Sequence, residues 1–195
     1  SEMCIRDRIA AKGVTGALDV LEGPVGMGMA MSGSADWTKA TAGLSKTYNI
    51  EAITFKNHGC CGHTFAAIDG LLALMKSAQI TAHEVAKIDI ATYGPAVSVT
   101  DRPDPQTPQE CKFSMQYVIA HAAYFGSVRI NAFEEMRMKD QEIRALMPKI
   151  SLTLDQQIDD QFPVRRAARV SVTSKAGGVF ILSLIHISEP TRHHV

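Results

Sequence analysis

Several protein classes are excluded by what this sequence has little of. Basic and acidic side chains cancel, 20 against 20. No excess of either sign therefore draws the chain to nucleic acid or an anionic membrane, both of which need clustered Lys and Arg. No apolar run approaches the roughly 20 residues that cross a bilayer. There is no internal repeat and no low-complexity tract. Cysteine is sparse, at four residues. With Cys4 set aside for the reason given next, Cys60, Cys61 and Cys111 remain. An odd set with two adjacent members is a poor disulfide framework and points to a reducing compartment, so a cytoplasmic location is expected. What is present is 195 residues that are 46% hydrophobic and 21% charged. That is a globular composition, long enough to bury a core without a disulfide or metal staple.

The two ends read differently from the rest. The oligonucleotide TCGGAGATGTGTATAAGAGACAG encodes Ser1 to Asp7 and begins the codon of Arg8; its reverse complement encodes Leu182 to Ser188 and begins that of Glu189. One adapter-like sequence read in both directions thus accounts for both ends. Residues 1–8 and 182–195 are set aside as artefact, and 9–181 are expected to be an internal piece of a longer protein.

Residues 9–50 are rich in Ala, Gly and Met. A short helix is expected near 16–22, stopped by Gly23-Pro24, then a loop or weak helix through 26–45. Gly26-Met27-Gly28 is no phosphate cradle, because Met31 stands where the third glycine would be. Residues 50–55 have strand character. Phe65, Ile68, Leu71, Leu72 and Met75 recur at helical spacing, predicting an amphipathic helix over 64–78. Thr81 and Glu84 form a capping-box pattern before a single turn, and 87–93 alternate as a strand. The Pro-rich segment 102–108 must be extended or turned. Thr107-Pro108-Gln109-Glu110 is a strong helix start, for a helix expected to run to Phe125. Shorter helices are expected near 131–136 and 140–147, strands at 149–154 and 168–173, and a hairpin at Gly177-Gly178. The reading is an α+β unit preceded by a mostly helical piece.

Reactive side chains concentrate in Lys56-Asn57-His58-Gly59-Cys60-Cys61-Gly62-His63. Lying before a helix, this loop favours an anion, through free amides, the helix dipole and Lys56. Three other readings stay open: a zinc site, which adjacent cysteines serve poorly; a cysteine nucleophile paired with His58 or His63; or a loop with buried cysteines and a solvated lysine. Ser114, Tyr117 and His121 share a stripe on the capped helix, readable as solvent face or site. Arg165, Arg166 and Arg169 read as a solvated strand edge.

Taken together, the run from Cys60 to Asp69 preceded by Lys56, then Arg102-Pro103-x-Pro105, then Glu110 to Ala120 resemble the MmgE/PrpD family of dehydratases, decarboxylases and epimerases. The resemblance covers nearly all of 9–180. It implies a small α+β lid domain (49–181) preceded by the C-terminal part of an all-helical domain (9–48). The implied activity is a cofactor-free, metal-free lyase acting on a small di- or tricarboxylate by removing a proton alpha to a carboxylate. An epimerase of the same family, or an inert fragment, is the alternative. The full-length protein is expected to be a homodimer with no nucleic-acid or membrane partner. Lys56 would supply charge, Tyr117 a hydrogen bond or proton, His63 the general acid/base, and Ser114 a carboxylate contact; Cys61 and Phe65 stand where some family members carry the loop histidine. Lys56, His63 and Tyr117 are expected to face one open concavity.

Overall fold

A computed structural model describes residues 2–53 and 55–187. The chain forms two compact units, Ser1–Ile53 and Thr54–Val195. The first contains α1 (Glu2–Ala11) and α2 (Met27–Met31), joined by turns. None of its described apolar side chains is buried; Leu18 is 97% exposed. The helix expected at 16–22 is instead a series of turns. A short helix needs an apolar face packed on something, and nothing within the unit covers Leu18 or Val20. The strand expected at 50–55 is also absent: Asn49–Ala52 is a 3₁₀ turn. Ile53 and Phe55 are exposed and pair with no other strand.

The second unit carries the core. Its elements in chain order are α3 (Phe65–Ala78), β1 (Val85–Thr92), α4 (Gly94–Thr100), α5 (Pro108–Lys112), α6 (Met115–Phe125), α7 (Glu135–Met138), α8 (Gln141–Leu146), β2 (Ile150–Leu154), α9 (Gln156–Asp159), β3 (Arg165–Ser174) and β4 (Val179–Ile187). The four strands form one sheet in the order β2-β1-β3-β4. β1 and β2 run parallel, Ile88 opposite Ile150, and the other neighbours are antiparallel. Period-two alternation sends Ile88, Ile90, Val170 and Val172 into the core. Lys87, Asp89 and Ser151 point away from it, tied by the Lys87–Asp89 ion pair of 2.7 Å and the Ser151 hydroxyl donated to Asp89. α3 packs on β3 and β4, and α6 on α3, β2 and α8. Gly70 lets α3 come this close, because a Cβ there would lie 3.2 Å from a Val170 methyl. The whole is the α+β fold expected.

Three sequence expectations need adjustment. The helix from Thr107 breaks at Phe113-Ser114, where Ser114 takes extended backbone and caps α6 through its hydroxyl. β4 runs to Ile187, so the adapter-like residues 182–187 fill the outer strand; Leu182, Leu184 and their neighbours alternate as an edge strand requires. β3 lies between β1 and β4, so its arginines are not on a sheet edge. Arg169 pairs with Asp155 at 2.7 Å, and Arg166 is partly buried with its Nε unpartnered. No helix among the described residues is long and apolar enough to cross a membrane.

Candidate functional site

The loop before α3 is held from two directions. The Gly59 amide donates to the Val128 carbonyl at 2.8 Å and the Cys61 amide to the Lys112 carbonyl at 2.9 Å. The Arg129 guanidinium donates through Nη1 to the Asn57 carbonyl at 2.6 Å. Gly59 is required for this approach, since a Cβ would sit 3.2 Å from the Arg129 carbonyl carbon. Backbone cannot move aside as a side-chain tip can.

Between the loop, the end of α5 and the segment after α6 lies an open cleft of about 790 Å³. Its charged lining among the described residues is Lys56, Lys112 and Arg129, with His58 beside them and no Asp or Glu. Lys112 is presented by α5, whose start is fixed by Thr107 and Glu110 capping each other. Its ammonium lies 5.6 Å from the Phe133 ring centroid. Unopposed cations on a concave surface raise the local concentration of anions.

His58 is 8% exposed. Its ring meets the edge of Phe65 at 5.1 Å between centroids, and its Nε2 lies 2.8 Å from Asp69 Oδ1. Its Nδ1 is buried and has no hydrogen-bond partner.

The residues expected to form the site are not brought together. Lys56 lines the cleft; His63 and Tyr117 do not. His63 bonds through Nδ1 to the Tyr93 hydroxyl at 2.9 Å, and Tyr93 stacks on Phe162 with centroids 4.8 Å apart. Burial, helped by the nearby Arg166 charge, lowers the His63 pKa and favours the neutral ring. Tyr117 is fully buried and donates its hydroxyl to the Ala132 carbonyl at 2.5 Å. Burial pushes its phenol well above the usual range. Ser114 is buried as well: its hydroxyl donates to the Arg102 carbonyl at 2.6 Å and accepts from the Tyr117 amide at 3.1 Å. His121 donates from Nδ1 to the Ser127 carbonyl at 2.9 Å. The Ser114, Tyr117, His121 stripe is thus neither solvent face nor open site, but a set of internally satisfied core groups.

The other open readings of the loop fare as follows. Cys60, Cys61 and Cys111 are free and buried. Burial raises the Cys60 thiol to about 11, which keeps it from being a ready thiolate nucleophile; the Thr64 hydroxyl, 3.2 Å from its sulfur, offsets only part of that rise. Among the described residues no three His, Cys, Asp or Glu side chains gather as a metal would need.

Lys112 and Arg129 escaped sequence reasoning. Lys112 lies inside the family-like run but carries no spacing signal, and Arg129 sits in an irregular segment without a motif. The His58–Asp69 pair had one faint sign: Asp69 is the only acid in a helix otherwise rich in Ala and Leu.

Comparison with curated proteins gives no match. The family description "MmgE/PrpD C-terminal domain" matches residues 58–186, most of the chain and nearly all of its second unit. The match takes in the loop at 58–63, all four strands and each of the segments that bear Lys112 and Arg129. The chain therefore belongs to the MmgE/PrpD family and carries its C-terminal domain.

Proposed function

We propose that the cleft binds a small di- or tricarboxylate, and that the protein is a lyase of the dehydratase or decarboxylase kind; as a dehydratase it removes a proton alpha to one of its carboxylates and then expels a beta-hydroxyl as water. The observation that carries this reading is the lining of the cleft, three cations with no opposing acid. Taking a proton from carbon next to a carboxylate adds negative charge to a group already anionic. Such an intermediate forms at a useful rate only where fixed positive charge awaits it. Lys56 and Lys112 serve as mobile point charges. Arg129, whose guanidinium also holds the Asn57 carbonyl, is the stiffer contact and sets the loop that carries Lys56. Family membership supports the same chemistry, since the family includes dehydratases and related enzymes.

The test is calorimetric titration of the protein with citrate and tricarballylate. Each of Lys56→Ala, Lys112→Ala and Arg129→Ala is expected to weaken binding about tenfold to a hundredfold, the range for losing one charge-assisted hydrogen bond. Binding that ignores all three substitutions would exclude the cleft as the site. Incubation with candidate acids in deuterated water then separates the reactions. Loss of water or carbon dioxide marks the lyase, whereas solvent exchange with an intact carbon skeleton marks an epimerase.

A further inference from the structure

His58 is the one side chain of the cleft wall that holds a buried, unsatisfied ring nitrogen. Buried polar atoms nearly always find a partner, and the exceptions concentrate where a ligand or a proton is to be received. One turn of α3 supplies both of its supports: Phe65 against the ring and, four residues on, Asp69 at Nε2. A carboxylate accepts and does not donate, so the bond to Asp69 places hydrogen on Nε2 and leaves Nδ1 as the basic atom.

We propose that His58 is the proton acceptor of the cleft and that Asp69 is its positioning residue. The inference rests on the carboxylate reading above and adds the base that reading lacks. In the reaction the C–H bond alpha to a carboxylate breaks and an N–H bond forms at Nδ1. The electron pair moves into the carboxylate to give an enediolate; in the dehydration that pair then forms the C=C bond and expels the beta-hydroxyl, which takes the proton from the imidazolium and leaves as water. The new imidazolium is balanced by Asp69 on one side, while Lys56, Lys112 and Arg129 balance the enediolate on the other. The only other titratable side chains of the wall are Cys60 and Cys61, whose thiols are buried. His58 lines the cleft and its Nδ1 is shut off from bulk water, so proton transfer requires the ring to turn toward the cleft about its bond to Asp69 to meet the acid.

The experiment is performed on the intact chain near neutral pH. Citrate binding is measured by calorimetry, loss of the alpha C–H, by exchange or elimination, is followed by ¹H NMR in deuterated water, and the His58 ring nitrogens are followed by ¹⁵N NMR. The expected result is a free protein with the Nε2–H tautomer, a change at Nδ1 on binding, and loss of the alpha C–H of citrate. His58→Gln keeps a donor toward Asp69; it is expected to bind citrate within about tenfold of the parent yet slow the loss of the alpha C–H about a hundredfold or more. Asp69→Asn is expected to raise the Nδ1–H share and shift the pH profile of that loss, which a purely structural aspartate would leave unmoved. Binding without loss of the alpha C–H, or an unresponsive Nδ1 in the parent protein, overturns the His58 assignment and leaves the carboxylate reading standing. No citrate binding at all overturns the carboxylate reading itself. The parent protein alone decides both, should His58→Gln fail to fold.

Discussion

Tyr117 spends its hydroxyl inside the protein. Buried and bonded to the Ala132 carbonyl, it helps fix the turn at Ile130–Phe133 that closes one side of the cleft. Removing the hydroxyl leaves that carbonyl without this donor in a dry environment. Tyr117→Phe is expected to lower stability by about 1–3 kcal/mol, read from denaturant midpoints, with citrate affinity unchanged. A large loss of affinity without loss of stability would return Tyr117 to the site. At this scale the sequence shows which residues can do chemistry, and it singled out Lys56, which does line the cleft. It does not show which atoms remain free. Whether a phenol or an imidazole is available depends on a partner such as Ala132 or Tyr93 that is 15 or 30 positions away, and no local pattern records that.

At the scale of elements, the break between α5 and α6 organises the region. Ser114 ends one helical direction and starts another, and its hydroxyl binds the Pro-rich segment through Arg102. Gln116 completes the tether, accepting from the Arg102 amide and donating to Asp101. Ser114→Ala removes both the cap and the tether. It is expected to cost about 1–2 kcal/mol and to speed hydrogen exchange at the Tyr117 amide more than at the middle of α3. Uniform acceleration along both helices would contradict the capping role. The start of α5 was legible because Thr107, Pro108 and Glu110 act within one turn. The break was not, because Phe113 and Met115 continue the apolar pattern, and the ties of Ser114 and Gln116 that accompany the break run to Arg102 and Asp101, outside the helix. β4 shows the converse. Residues 182–187 were set aside on the origin of their codons, yet their alternation suits an outer strand, where one neighbour and one apolar face are enough.

For the whole molecule, the α+β class was legible because helical and strand periodicities are local signals. The parallel pairing of β1 with β2 was not, since a crossover of five helices and several turns separates them. The cleft was the least legible part. Its cations come from three separate segments, and only Lys56 was singled out for its charge. The Asn57 carbonyl finds its guanidinium 72 positions downstream, and the amides of Gly59 and Cys61 reach comparably remote carbonyls. Those ties are few and the Arg129 bond is exposed, so the loop is expected to open before the buried core does. Citrate affinity should therefore vanish at a lower urea concentration than helical circular dichroism; coincident transitions would mean that loop and core form together. Under the proposed function, those few long-distance ties would make ligand recognition the first property the chain gives up.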